Sequence, residues 1–196
     1  MATTPLWIAT CTEAMPVLAR IQSGVVATAL QKKSMSKLKS TEHQAPIASR
    51  RYARERVMQT LYASLISPSD ENFLCHTFIV LDEKLDDPGK VFAEDLFKQT
   101  VKHRTECEAI LKDKSAHWDV ARLAMIDRAI LHMAIVELKY FRDIPPKVTI
   151  DEAIEIAKRF STAESGKFVN GILDAVLDDL KADGTLNKRG RGLRSE

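Results

Sequence analysis

The sequence predicts an all-α protein, a helical bundle built from two small three-helix-type bundles that share one buried central helix. Three observations favour this class. Apolar residues recur at helical spacing over most of the chain, no segment alternates apolar and polar residues as a strand does, and only 7 Gly and 7 Pro interrupt 196 residues. A chain of this length with 45% hydrophobic residues forms a core without metal ions or disulfides.

The first half of the chain contains two predicted helices around a short apolar segment. The first helix begins at Ser49, a suitable N-cap, and ends before Ser67-Pro68-Ser69. The apolar segment covers residues 71–85 and precedes Asp86-Asp87-Pro88-Gly89, whose composition is that of a turn. The second helix covers residues 91–112.

The second half contains the most hydrophobic segment, residues 120–141, whose apolar side chains cover more than half of the helix circumference. We expect it to be the buried central helix. Asp143-Ile144-Pro145-Pro146 ends it. Thr149-Ile150-Asp151-Glu152 has the pattern of a capping box, with its threonine as the N-cap of the next helix. The last predicted helix covers residues 162–181.

The two ends of the chain differ in composition from this helical domain, which we expect to span residues 49–182. Residues 1–48 are poor in acids, as transit peptides are, but they contain one arginine and no amphipathic helix. A start of translation at Met35 explains them equally well. We favour a disordered or artefactual extension over a targeting segment. Residues 183–196 form a basic tail that we expect to be disordered.

Composition and cysteine usage exclude several classes of protein. The net charge is +2, so recognition of a nucleic acid would depend on local clusters of charge. No apolar run approaches the ~18 residues needed to cross a bilayer, so we expect no membrane partner. The three cysteines lack CxxC spacing, which indicates reduced thiols. Cys75-His76 with His103 and Cys107 could form a zinc site, but buried thiols beside surface histidines are the favoured interpretation.

Arg50, Arg51 and Arg54 form the most informative cluster of charge. At about 100° per residue they fall within an arc of about 100° at the start of the first helix. The helix dipole disfavours cations at this end by ~0.3–1 kcal/mol each, so the cluster suggests an anionic partner such as RNA phosphate. The alternative is a solvated first turn whose arginines pair with Glu55 or other acids.

A second candidate contact lies at the head of the last helix. Phe168 could stack on a base while Lys167 meets a phosphate, or Phe168 could simply start the apolar seam of that helix. Gly166-Lys167 resembles a phosphate-binding loop only superficially, because Phe168 replaces the required Ser or Thr and Ser161 replaces the first Gly. No nucleophile elbow, HExxH motif or dinucleotide-binding loop occurs, so we predict neither catalysis nor a cofactor.

Several short blocks also occur in a fixed order between residues 49 and 182. They are SRRYARE at 49–55, QTLY at 59–62, IDRAIL at 126–131, EL at 137–138, IPPKVTIDEAIE at 144–155 and KFVNGILD at 167–174. Each block is weak alone, but their order and spacing are specific. Together they resemble the NusB family of bacterial transcription antitermination factors.

The resemblance implies two small helical bundles packed together, no catalysis, and binding of boxA RNA together with the ribosomal protein NusE. It implies a cytoplasmic part in antitermination on ribosomal RNA operons, within the transcription elongation complex. Some members of the family self-associate over the RNA face, which leaves a homodimer open. NusB-like domains also occur fused to RNA cytosine methyltransferases, but this chain lacks their α/β cofactor-binding portion. The alternative function is a helical protein-interaction module without direct RNA contact.

The resemblance also assigns roles to individual residues. Asp127 matches an acidic position that faces NusE. Tyr52 departs from the family, which often has a further arginine there; it either weakens the positive charge or supplies a stacking ring. Glu164 stands where the family often has an acid, beside its second RNA-contacting patch. The RNA-binding positions that the resemblance implies are Arg50, Arg51, Arg54, Glu164, Lys167 and Phe168.

Overall fold

Seven α-helices, and no strand, make up the part of the chain that the computed structural model describes, residues 47–66, 69–114 and 123–188. The predicted all-α class is confirmed. The predicted N-terminal extension lies outside the described residues except for its last two, which begin the first helix. The helices are α1 (Ile47–Ile66), α2 (Glu71–Cys75), which continues as a π-helical turn over His76–Val80, α3 (Asp87–Lys102), α4 (Arg104–Lys114), α5 (Met125–Tyr140), α6 (Pro146–Phe160) and α7 (Ala163–Ala182).

The central helix is α5, as the sequence predicts. Every residue from Ala129 to Leu138 is buried, which matches an apolar surface that extends around the helix. α1 and α3 pack against each other and against α5, and α6 and α7 do the same. Two three-helix groups therefore share α5, and each of them buries part of its circumference.

A buried ion pair joins α1 to the central helix. Arg54 donates from Nε and Nη2 to the two carboxylate oxygens of Glu137, at 2.8 and 2.9 Å, and neither side chain is more than 4% exposed. The hydroxyl of Thr149, on α6, donates to the same carboxylate at 2.7 Å. The ring of Phe92, on α3, lies 5.2 Å from the guanidinium carbon. One carboxylate on the shared helix therefore binds a residue from each three-helix group.

The predicted capping box at the start of α6 is wrong. α6 begins at Pro146 with Pro145 in the N-cap position, because a proline in the first turn has the φ of a helix and needs no hydrogen bond there. Thr149 lies inside the helix and is buried. Glu152 accepts two hydrogen bonds from Arg51 of α1. Both side chains that resemble a cap are thus engaged with other helices.

α3 also begins earlier than the sequence suggests. Asp86 is its N-cap, and the Asp86 carboxylate accepts a hydrogen bond from the N–H of Gly89 at 2.9 Å. Pro88 lies in the first turn, so the predicted turn over residues 86–89 is instead a helix start. Aspartate and proline favour both structures, which explains the error. The predicted helix over 91–112 is divided at His103 into α3 and α4.

The chain stays attached to the bundle beyond α7. Leu186 packs against the core, and Lys188 donates from Nζ to the carbonyl oxygens of Glu137 and Phe141 at 2.9 and 2.8 Å. These carbonyls lie at the C-terminal end of α5, where the helix dipole favours a cation. Burial lowers the pKa of Lys188 to about 8. The expected tail over 183–196 is therefore bound to the domain through its first part, and the rest of it lies outside the described residues.

Two of the cysteines are free and buried, Cys75 and Cys107. Burial raises the pKa of the Cys107 thiol to about 12. His103 Nδ1 lies 2.9 Å from a carboxylate oxygen of Glu106. Among the described residues, no group of three or more His, Cys, Asp or Glu side chains could hold a metal ion. None of the helices in those ranges is both long and apolar enough to cross a membrane.

Replacing Glu137 by Gln should lower the free energy of unfolding by about 3–5 kcal/mol, because Arg54 then remains as a buried cation without its counter-charge. The matched control is Glu94→Gln, which breaks an exposed pair with Lys98 and should cost less than about 1 kcal/mol. Urea unfolding followed by circular dichroism measures both. Equal losses in the two variants would contradict the importance of the buried pair.

His132 on α5 is a buried histidine that is held neutral. Burial lowers its pKa to about 4, although the Glu108 carboxylate opposes this shift. Glu108 Oε1 lies 2.9 Å from His132 Nε2, but the direction of approach does not make a hydrogen bond. The same oxygen accepts a hydrogen bond from Arg128 Nε at 2.6 Å.

The pKa of His132 predicts that the protein loses stability as the pH falls. Its pKa in the unfolded chain is ~6.5, so below that pH the unfolded state binds a proton that the folded state does not. The free energy of unfolding should therefore decrease between ~6.5 and about 4, by up to about 3 kcal/mol. His132→Gln should remove this part of the pH dependence, and His76→Gln, at an exposed position, should retain it. Denaturant unfolding across this pH range tests the prediction, which fails if His132→Gln behaves as the unsubstituted protein does.

Candidate nucleic-acid interface

The arginine cluster at the start of α1 finds counter-charges inside the protein. Arg54 is 3% exposed and its Nε and Nη2 are bound to Glu137, so an external phosphate has no access to it. Arg50 Nη1 lies 3.5 Å from Asp143, and its guanidinium carbon lies 5.3 Å from the centre of the Phe92 ring. These arginines therefore have acidic partners within the protein, as the alternative to an RNA partner supposes, although none of those partners is Glu55.

Arg51 and Arg159 differ from Arg54 because they lie at the surface above two buried acids. Arg51 donates to both oxygens of Glu152 at 2.8 and 2.7 Å, and its side chain is 48% exposed against 6% for the glutamate. Arg159, in the last turn of α6, lies 2.5 Å from Glu55, with exposures of 65% and 7%. Hydrogen bonding to Glu152 and the negative charge of that glutamate raise the pKa of Arg51. Burial raises the pKa of the Glu55 carboxyl group. Because the two acids lie beneath them, the guanidiniums form the outer part of each pair, and Glu155, which is 50% exposed on α6, is the nearby surface acid.

The sequence does not indicate Arg159 as a site residue. A basic residue in the last turn of a helix is ordinarily explained by the helix dipole, so nothing in the sequence around it indicates a further role. Its partner Glu55 lies 104 residues earlier in the chain, and this proximity exists only in the folded protein.

The side chain of Tyr52 is bound within the protein and does not lie beside Arg51 and Arg159 at the surface. Its hydroxyl donates to Asp82 at 2.9 Å, and the same carboxylate pairs with Arg56 at 2.6 Å. The ring is partly buried and packs against the core, and burial raises the pKa of Tyr52 to about 12. Of the two alternatives for this residue, a loss of positive charge relative to arginine fits the structure, and a free stacking ring does not.

A groove of about 560 Å³ lies at the head of α7, between the first turns of α7, the start of α5 and the connection after α6. Phe168 lines it and is half-buried, with the rest of its ring against the core. Lys167 and Glu164 lie at the rim, 78% and 80% exposed, and pair with each other at 3.2 Å. The N-cap Thr162, whose Oγ1 accepts the N–H of Ser165 at 3.1 Å, fixes this first turn.

Asp127 lies at the same groove but is itself buried. The hydroxyl of Ser165 donates to Asp127 Oδ2 at 2.9 Å, and the aspartate is 6% exposed. Its Oδ1 has no hydrogen-bond partner among the described residues. The bond ties the central helix to the head of α7 and so sets the position of Lys167 and Phe168. The structure thus brings these predicted residues together, and α6 connects them to the arginines of α1.

Comparisons with known proteins identify the family. The NusB family profile matches residues 51–178. The transcription antitermination protein NusB of Salinibacter ruber is 48% identical over 147 residues, 75% of this chain and 92% of that protein. The corresponding protein of Chloroherpeton thalassium is 40% identical over 147 residues, 75% of this chain and 70% of that protein.

Solved structures agree with these relatives. A structure of T. maritima NusB is 36% identical, with a TM-score of 0.62 over 66% of this chain and 91% of that one. A crystal structure of the antitermination factors NusB and NusE in complex with double-stranded RNA matches with a TM-score of 0.62, over 68% of this chain and 99% of that one. At 21% identity the second likeness concerns the fold alone. Profile, relatives and fold agree, and this chain belongs to the NusB family.

Proposed function

We propose that this chain is a non-enzymatic transcription antitermination factor that binds single-stranded boxA RNA together with the ribosomal protein NusE. It acts in the cytoplasm on ribosomal RNA operons, as part of the transcription elongation complex. Relatives named transcription antitermination protein NusB at 48% and 40% identity support this role. No cofactor is needed, because charge and stacking suffice to hold a single strand.

The groove at the head of α7 is the observation that carries the RNA-binding part of this proposal. An exposed lysine adjoins a half-buried aromatic ring there, so a base can stack on Phe168 while its phosphate meets Lys167. Thr162 and Asp127 fix the turn that presents both residues. A preformed site loses less conformational entropy on binding than a flexible one does. When RNA binds, Lys167 exchanges its ion pair with Glu164 for one with the phosphate.

The remaining predicted residues take direct or supporting roles according to their exposure. Arg50 and Arg51, on α1, are the proposed phosphate contacts. Arg54 is buried, so it acts by holding α1 against α5 and thereby positioning the other two. Asp127 is buried as well; we assign it to the NusE-binding face by its resemblance to the family, and its bond to Ser165 fixes α5 against α7.

Titration of a fluorescently labelled single-stranded boxA RNA tests the proposed function. We expect the protein to bind this RNA, and to bind it more tightly when NusE is present, because RNA and NusE then stabilise each other's binding. A scrambled RNA of equal length is the control and should bind more weakly. The alternative, a protein-interaction module without RNA contact, predicts that NusE binds equally well with and without RNA. Analytical sedimentation of the protein alone shows whether it is a monomer or a homodimer.

Phe168→Leu tests the stacking contact, because it keeps an apolar side chain in the groove but removes the aromatic face. We expect RNA affinity to fall by about 1–3 kcal/mol, or about 5- to 150-fold. Phe141→Leu is the control: Phe141 is also partly buried, but it packs edge-on against Phe92 and away from the groove. If Phe168→Leu lowers the urea midpoint and leaves RNA affinity unchanged, the residue belongs to the core alone.

A further inference from the structure

Two basic residues at the end of α6 lie between the arginines of α1 and the groove. Lys158 and Arg159 are 54% and 65% exposed. Arg159 reaches towards α1, where it contacts Glu55. The stem of Lys158 lies against α7: a methyl group at Gly166 would be only 3.2 Å from Lys158 Cγ. Gly166 directly precedes Lys167, so basic side chains follow one another across the last turn of α6, where Lys158 also pairs with Glu155 at 2.8 Å.

Arg159 retains donors that can bind an anion. A guanidinium has five N–H donors, and Arg159 uses Nη1 for Glu55, which leaves Nε and Nη2 without a hydrogen bond to any described residue. Its guanidinium carbon lies 5.1 Å from the centre of the Phe160 ring, a contact that orients the group. Arg51 is similar, since Nε and Nη2 bind Glu152 and Nη1 remains. Arg54 differs from both because it is buried.

We propose that Arg159 binds an RNA phosphate, so that the strand runs from Arg51 across the last turn of α6 to Lys167 and Phe168. This inference rests on the proposed function, because it names a further residue of the same RNA interface. A phosphate that approaches from solvent lies nearer to the exposed guanidinium than to the buried Glu55 beneath it, so attraction outweighs repulsion. A role confined to the helix dipole would leave RNA binding unchanged.

The test compares Glu55→Gln with the double variant Glu55→Gln/Arg159→Gln. Removing the arginine alone would leave Glu55 buried and unpaired, and its charge could weaken both folding and RNA binding. With glutamine at position 55 in both proteins, they differ only in the arginine. The positive control is built in the same way, by comparing Glu152→Gln with Glu152→Gln/Arg51→Gln. Arg104→Gln is the negative control, since Arg104 also pairs with an acid, Glu71 at 3.4 Å, but lies on α4.

The measurement is the affinity for single-stranded boxA RNA and for the scrambled RNA as a function of salt concentration. Loss of one phosphate contact should reduce the slope of log affinity against log salt by about 0.7 in the double variant relative to Glu55→Gln. The fall in affinity between about 50 and 200 mM salt then becomes about 2.6-fold smaller. Both RNAs should be affected alike, because phosphates carry no sequence information. Arg159→Lys, which keeps the charge, should retain the slope.

The outcomes separate this inference from the proposed function. If loss of Arg51 in the Glu152→Gln background lowers the slope and Glu55→Gln/Arg159→Gln matches Glu55→Gln, the Arg159 contact is refuted and the proposed function stands. An equal loss of slope in Arg104→Gln would also refute it, since the effect would then be one of overall charge. If the unsubstituted protein shows no salt-dependent RNA binding, both proposals fall. Urea unfolding of each variant shows that the compared proteins are equally folded at the assay temperature.

Discussion

The carboxylate of Glu137 accepts hydrogen bonds from Arg54 of α1 and Thr149 of α6, within a helix whose other buried residues are apolar except for Asp127 and His132. Apolar packing supplies most of the stability of such a bundle, and a buried ion pair adds little net free energy of its own. Its contribution is to fix the orientation of the helices that it joins. Because the bidentate pair fixes the rotation of α1 about its axis, it also fixes Arg50 and Arg51, which lie one turn earlier on the same helix.

The arginines of the described residues at this face therefore fall into two kinds that composition cannot distinguish. Arg54 is enclosed with its counter-charge, whereas Arg51 and Arg159 each cover a buried glutamate and expose part of the guanidinium. An ion that approaches from solvent meets the cation first and the acid only at greater distance, through a screening medium whose Debye length is about 8–10 Å. A chain with a net charge of +2 can in this way present a positive face to RNA.

Much of the fold follows from periodicity, since α1, α5 and α7 have long apolar stripes that tertiary contacts did not override. The starts of α3 and α6 do not follow from periodicity. Asp, Pro and Thr occur equally in turns, in helix caps and in hydrogen bonds between helices. The candidate site divides in the same way. Lys167 and Phe168 are near one another in sequence and are found together at the groove. The partners of the arginines lie 83 to 104 residues away, so only the folded chain reveals which guanidinium is buried.

Both halves of the proposed interface are positioned by the same helix. Arg54 is bound to Glu137 of α5, and Ser165, at the head of α7, is bound to Asp127 of α5. The two acids are ten residues apart, or about 15 Å along the axis of an α-helix, and that distance does not depend on any loop. A substitution that removes either of these two bonds would move the arginines of α1 relative to the groove at the head of α7. It would weaken binding of a strand that spans both halves while every contacting side chain is still present.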